Sequence, residues 1–186
     1  MSFVETGFPG LLVFEPKVFG DSRGYFLESY NEKTFAGHGL QIKFVQDNES
    51  SSCHGVIRGL HYQLPPFAQT KLIRVVQGSI LDVVVDIRKG SPSFGKSFSL
   101  ELTAENKKQL FIPAGFAHGF SVLSPQAVVQ YKCDQFYNKQ SEGGIRFDDP
   151  ALSIDWKIPE DKIIVSEKDR LLPLLADCHA NFHFNN

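Results

Sequence analysis

The chain has 186 residues, with 19 Lys and Arg against 21 Asp and Glu for a formal net charge of −2, and it is 42% hydrophobic and 22% charged. That length suits one domain with a substantial core, and this balance of apolar and charged residues excludes a disordered chain. A pI of about 6.3 without a Lys/Arg block disfavours a broad nucleic-acid face, and Asp82, Asp86 and Arg88 interrupt the most apolar stretch, so no run reaches the ~20 residues of a bilayer span.

From the N-terminus, residues 1–5 show no basic segment followed by an apolar one, which predicts no secretory export. Runs of β-branched and aromatic residues between Gly, Pro, Asn and Asp then predict strands over 11–14, 25–30, 44–48, 56–63, 71–76 and 80–87. More follow over 98–102, 109–112, 119–123 and 127–133, with shorter ones at 145–147 and 163–166. Gln77-Gly78-Ser79, between two apolar runs, predicts a tight hairpin turn. Asn31 is placed to cap a short helix through Phe35, and residues 170–176 predict another despite Pro173. Many short strands without alternating helices make an all-β antiparallel sandwich or barrel, in one domain without repeats or linkers. Cys53, Cys133 and Cys178 contain no Cys-x-x-Cys pair, which predicts free thiols and a reducing cytoplasm. Asn48-Glu49-Ser50 matches a glycosylation acceptor only formally without export.

The chemistry concentrates in polar residues set within strand-like segments. Arg58-Gly59-Leu60-His61-Tyr62-Gln63 is the densest such run. Arg58 and His61 are three apart, so an ideal strand would point them to opposite faces; a bulge at Gly59 would turn both inward. Lys71 shares a face with Ile73 and Val75, and Tyr131 shares one with Val129 and Cys133. Residues 113–118 (PAGFAH) place His118 at a strand entrance. Each of these also has an ordinary structural reading, but a small barrel offers one interior where inward residues from several strands converge. The Pro-x-Gly-x-x-His pattern resembles the second motif of the cupin barrels. Gln63 stands at the second ligand position of the first motif, and Pro65, Pro66 and Phe67 fill the region of its glutamate. His61 and His118 alone do not complete a metal set, so no metal is expected. His179 and His183 have helical ligand spacing beside Cys178, but they lie in a polar segment that reads as a fraying tail.

Longer motifs carry a resemblance. Residues 58–63 (RGLHYQ), 71–78 (KLIRVVQG), 82–95 (DVVVDIRKGSPSFG), 104–107 (AENK), 112–120 (IPAGFAHGF), 131–133 (YKC) and 166–169 (SEKD) resemble the dTDP-4-dehydrorhamnose 3,5-epimerase family, in order, from Phe8 to Leu175. Phe111 and Phe136 depart from its frequent tryptophan and tyrosine, and the tail after about residue 175 is not family-like. The resemblance implies a cupin-like jelly roll without metal or other cofactor, a cytoplasmic homodimer of deoxysugar synthesis acting on a dTDP-sugar, with no nucleic-acid or membrane partner. It implies His61 as base, Asp169 as its partner, Tyr131 as acid and Lys71 at the sugar carbonyl with His118 close by. Implied substrate contacts are Arg23, Glu28, Gln46, Asn48, Arg58, Glu142 and Lys168, with Phe26 and Tyr137 stacking. Exchanged N-terminal strands would carry Arg23, Phe26 and Glu28 to the neighbouring subunit's site. A single-centre epimerase or ketoisomerase of a related pathway, a sugar-nucleotide-binding cupin without activity and a metal-dependent cupin oxygenase are the alternatives.

Overall fold

The computed structural model describes residues 1–184. The first part of the chain forms β1 (Ser2–Glu5), β2 (Leu12–Glu15), a hairpin of β3 (Val18–Asp21) and β4 (Gly24–Leu27), and helix α1 (Glu32–Gly37). Then come β5 (Gln46–Cys53), β6 (Val56–Gln63), β7 (Lys71–Gln77), β8 (Ser79–Asp86), β9 (Ser97–Thr103) and β10 (Gln109–Ile112). Last are β11 (Phe116–Val122), β12 (Gln126–Cys133), β13 (Glu142–Gly144), β14 (Ile164–Val165) and helix α2 (Glu167–Arg170). Two sheets, ordered β1-β2-β10-β7-β12-β5 and β13-β6-β11-β8-β9, pack against each other. All their internal pairings are antiparallel except that of β14, which lies parallel to β6. The architecture is the cupin-like jelly roll expected.

Side-chain alternation explains the layers. Ile73, Val75 and Val129 of the first sheet meet Ile80, Val84 and Phe120 of the second in the core between the sheets. The other face of β8, with Leu81, Val83 and Val85, is covered by Phe147, Leu152 and Trp156 from the segment after β13. Buried on both faces, β8 reads as a nearly continuous apolar run. The outer face of the first sheet is sealed by α1, whose Phe35 packs on Phe14, Leu72 and Phe111. Asn31 Oδ1 caps that helix by accepting from the Lys33 and Thr34 N–H groups at 3.0 and 3.3 Å. Such a cap contributes about 1 kcal/mol.

Several expectations change. Gln77-Gly78-Ser79 is not a hairpin turn, because β7 and β8 lie in different sheets. Each already has a partner on both edges, β10 and β12 for β7, β9 and β11 for β8. The turn is a corner between sheets, and Gly78 is required there: its φ is +73°, and a Cβ would fall 2.1 Å from the Gln126 carbonyl oxygen. The strand expected over 25–30 stops at Leu27, and the one expected over 145–147 lies earlier, in β13. His118 sits inside β11 rather than at its entrance. Instead of a helix over 170–176, α2 ends at Arg170 and a single 3₁₀ turn spans Leu175–Asp177 beyond Pro173. The tail packs onto the domain as far as it is described, to Phe184. Phe182 is buried edge-on to Tyr62, and Lys89 exchanges backbone hydrogen bonds with Phe182 and Phe184 at 2.9 Å each. The apolar side chains at alternate positions of the tail supply the area that holds it. It is not helical there, so His179 and His183 share no helix face.

Candidate active site

The register of β6 against β11 places His61 opposite His118 and Arg58 opposite Phe120. Three steps on β6 (61 − 58) therefore match two on β11 (120 − 118), so β6 carries one extra residue. This is the bulge expected at Gly59. Only glycine fits it: φ is +114°, and a Cβ would stand 2.6 Å from both Gly119 Cα and the His118 carbonyl oxygen. The bulge turns Arg58 and His61 into one cavity of about 530 Å³, together with Lys71, His118, Tyr131, Lys168 and Asp169. That size suits a small-molecule ligand.

Asp169 reaches the cavity because Ser166 caps α2 through the Asp169 N–H at 3.1 Å, setting the angle of the short helix. Its Oδ1 lies 2.8 Å from His61 Nε2, and its Oδ2 accepts from the Gly59 N–H at 3.2 Å. Burial pushes the Asp169 carboxyl up, but hydrogen bonds from His61, Gly59 and Ser166 outweigh it and hold the group below its ordinary value. An ionised carboxylate only accepts, so His61 Nε2 is the donor and Nδ1 is left for the cavity.

His61 belongs to the second sheet, whereas Lys71 on β7 and Tyr131 on β12 belong to the first. The cavity is thus a slot with an imidazole on one wall and a phenol on the other. Burial, reinforced by Cys133 and opposed by Arg58, raises the Tyr131 phenol and keeps its proton on. Burial pulls the Lys71 ammonium down, countered in part by Cys133, Asp82 and Glu142. The His118 ring pairs through Nε2 with both Asp82 oxygens, at 3.1 and 3.0 Å.

A second lobe of about 310 Å³ shares His61, Lys71 and Tyr131 and adds Gln46, Asn48, Tyr137 and Glu142. Glu142 joins the lobes at the rim: its Oε1 accepts from Lys168 Nζ at 2.6 Å and its Oε2 from the Tyr137 hydroxyl at 3.2 Å. Gln46 Oε1 holds the Tyr137 N–H at 3.0 Å. Gln63 is a clamp for the loops beside the site: its amide donates to the Phe67 and Phe136 carbonyls, and its oxygen accepts from the Asn138 N–H. Ser52 Oγ, on the same face of β5 as Asn48, accepts from Arg58 Nε at 3.0 Å and steers that guanidinium. Arg23, Phe26 and Glu28 do not join the cavity in this protomer. Arg23 pairs with Asp21 on the exposed hairpin, Phe26 is 64% exposed, and Glu28 accepts from Asn31 Nδ2. Among the described residues, no group of three His, Cys, Asp or Glu side chains is arranged to hold a metal ion.

Two residues escaped the sequence reading. Ser52 left no signal beyond its alternation with Asn48 and Ser50. Asp82 did leave one, as a carboxylate at a barrel-facing position between Ile80 and Val84 of an otherwise apolar strand.

Fold and cavity define the class: a cupin-like jelly roll whose interior gathers acid–base side chains on two facing walls. The family model described as dTDP-4-dehydrorhamnose 3,5-epimerase matches residues 5–177. A dTDP-4-dehydrorhamnose 3,5-epimerase of Shigella flexneri is 54% identical over 170 residues, covering 91% of this chain and 93% of that protein. The crystal structure of the enzyme of that name from Elizabethkingia anophelis superimposes with a TM-score of 0.92 at 54% identity, covering 95% of this chain and 97% of that one. A dTDP-6-deoxy-D-glucose-3,5-epimerase of Legionella pneumophila, solved with dTDP-4-keto-L-rhamnose, gives 0.91 at 46% identity, with 95% and 93% covered. The chain belongs to the dTDP-4-dehydrorhamnose 3,5-epimerase family.

Proposed function

We propose that this protein inverts C3″ and C5″ of dTDP-4-dehydro-6-deoxy-D-glucose, giving dTDP-4-dehydro-L-rhamnose. The observation that carries the reading is the slot itself: Asp169-bound His61 on one sheet faces Tyr131 on the other, with Lys71 beside them. A proton next to a ketone becomes removable when the resulting enolate oxygen is stabilised, and the Lys71 ammonium, aided by His118, supplies that charge. His61 Nδ1 takes the proton on one face of the sugar ring. Tyr131 returns one on the opposite face, which inverts the carbon. Both carbons flank one ketone and share one enolate oxygen, so a single anchor serves two inversions.

Arg58 and Lys168 suit the diphosphate, Gln46, Asn48 and Glu142 the remaining polar groups, and Tyr137 offers a ring at the rim. The chain acts as one domain, in the cytoplasm and without metal. It works as a homodimer in which the β3–β4 hairpin crosses to the partner, bringing Arg23, Phe26 and Glu28 to the other cavity. Support for the exchange comes from Phe19, Tyr25 and Phe26, which stand 51–64% exposed on that hairpin. Such a bare aromatic surface on a two-stranded element calls for a covering partner.

The test is conversion of dTDP-4-dehydro-6-deoxy-D-glucose by chelator-treated protein, followed by NMR of the product. Formation of dTDP-4-dehydro-L-rhamnose at the untreated rate is expected. A single-inverted product, or activity restored only by an added divalent ion, would overturn the reading.

A further inference from the structure

Tyr137 is a bare ring on a tethered backbone. It is 56% exposed and lines the second lobe of the cavity, on a segment, 134–138, that belongs to no strand or helix. A segment without backbone pairing wanders unless side chains hold it. Here each of its five residues is held. Asp134 Oδ1 accepts from the Thr70 N–H at 2.6 Å, and Gln69 Nε2 donates to the Gln135 carbonyl at 2.8 Å. Gln46 Oε1 accepts from the Tyr137 N–H at 3.0 Å, and Glu142 Oε2 accepts from its hydroxyl at 3.2 Å. Gln63 then grips both neighbours of Tyr137. Its Nε2 donates to the Phe136 carbonyl at 3.2 Å and to the Phe67 carbonyl at 2.7 Å, while its Oε1 accepts from the Asn138 N–H at 2.7 Å. Two carbonyls and one N–H admit a single orientation of that amide, and they use both of its hydrogens.

We propose that Gln63 is the positioning residue of a nucleotide platform: it fixes Tyr137 as a flat ring against which the base of the dTDP-sugar stacks. The inference rests on the epimerase reading, which supplies the nucleotide. Gln63 is 5% exposed and its donors are spent, so it acts through Tyr137 rather than on the substrate. It lies two residues beyond His61 on the same face of β6, so one strand carries the base and sets the ring at the rim. At the position where the cupin barrels place a metal-binding histidine, this chain has an amide that orders a loop. An ordered ring binds a base with less loss of freedom than a wandering one, and stacking tolerates no large tilt of the ring.

Gln63→Met tests this, since it keeps the length of the side chain and removes all three hydrogen bonds. Calorimetry with dTDP and with inorganic pyrophosphate, which has no base, reads the platform apart from the phosphate contacts. Gln63→Met and Tyr137→Ala should each weaken dTDP about tenfold, the scale of one lost base–aromatic stack, and leave pyrophosphate within about twofold. The double variant should bind dTDP within about twofold of Tyr137→Ala alone, because both changes remove one platform. In turnover, Gln63→Met should raise KM with kcat within about threefold. Wild-type dTDP affinity in folded Gln63→Met, losses that multiply to about a hundredfold in the double variant, or equal weakening of dTDP and pyrophosphate would each overturn the proposal and leave the epimerase reading intact. A wild-type protein that binds no dTDP would sink that reading and the proposal with it. If Gln63→Met fails to fold, Gln63→Glu, which still accepts from Asn138 but no longer donates, carries the same measurements. Failure of both to fold would assign Gln63 to stability alone and overturn the proposal.

Discussion

Asp169→Asn separates the orientation of the base from its charge. In the wild-type site one carboxylate oxygen pairs with His61 Nε2 at 2.8 Å and the other accepts from the Gly59 N–H at 3.2 Å, in a side chain only 6% exposed. An amide cannot accept at both places. With its oxygen toward His61, its NH₂ faces the Gly59 N–H, donor against donor, a buried conflict of about 1–3 kcal/mol. With its oxygen toward Gly59, its NH₂ must donate to Nε2, and the imidazole proton moves to Nδ1. The second arrangement avoids the conflict, but the nitrogen left for the cavity can no longer take a proton. The variant should therefore fold and lose most of its base. A fall in kcat of about 10²–10⁴-fold follows, about 3–5 kcal/mol of barrier, between wild type and His61→Asn. KM should stay within about threefold, because no diphosphate contact changes. Deuterium exchange at both carbons, read by NMR beside thermal melts, decides the matter. Wild-type exchange in Asp169→Asn, or loss of activity matched by loss of fold, would refute the tautomer argument.

Tyr131→Phe keeps the packing of the ring but removes the donor on the second wall; proton removal should persist, while inversion slows far more than return of label to the original face. Gly59→Ala must push a methyl to within 2.6 Å of two backbone atoms at a φ of +114°. It should cost about 3 kcal/mol or more in a denaturant melt and disable the site, and a stable, active variant would contradict the bulge as the device that aligns Arg58 with His61. Arg23→Ala should raise KM without lowering the melting temperature, in a protein that light scattering reports as a dimer; a fully active monomer would remove the exchanged hairpin.

Much of the site was legible because polar residues stood where strands wanted apolar ones. Residues 56–63 and 109–112 coincide with β6 and β10, since β-branched runs bounded by turn residues leave little choice. Gly59 was readable as a bulge from the spacing of Arg58 and His61 alone. The missing half of β5 was not: Ser50, Ser51 and Ser52 have no apolar face, because the inner side of that strand lines a cavity instead of a core. The corner at Gly78 had the local signature of a hairpin, and only the occupied edges of β7 and β8 exclude one. The tail is polar on average, which hides the one buried ring, Phe182, that decides its position. Asp82 was visible as an interruption of an apolar run. Its meaning needed the fold, which brings it to His118, 36 residues away in sequence.

The central claim is that one anchored ketone oxygen, in a slot with base and acid on opposite sheets, serves the enolates of both carbons in turn. Incubating the wild-type protein with dTDP-4-dehydro-6-deoxy-D-glucose in D₂O, and following C3″ and C5″ by NMR, tests it most directly. One deuterium at each carbon, with both configurations inverted, is the predicted result. Label and inversion at a single carbon, or inversion with the original hydrogens retained, would contradict it.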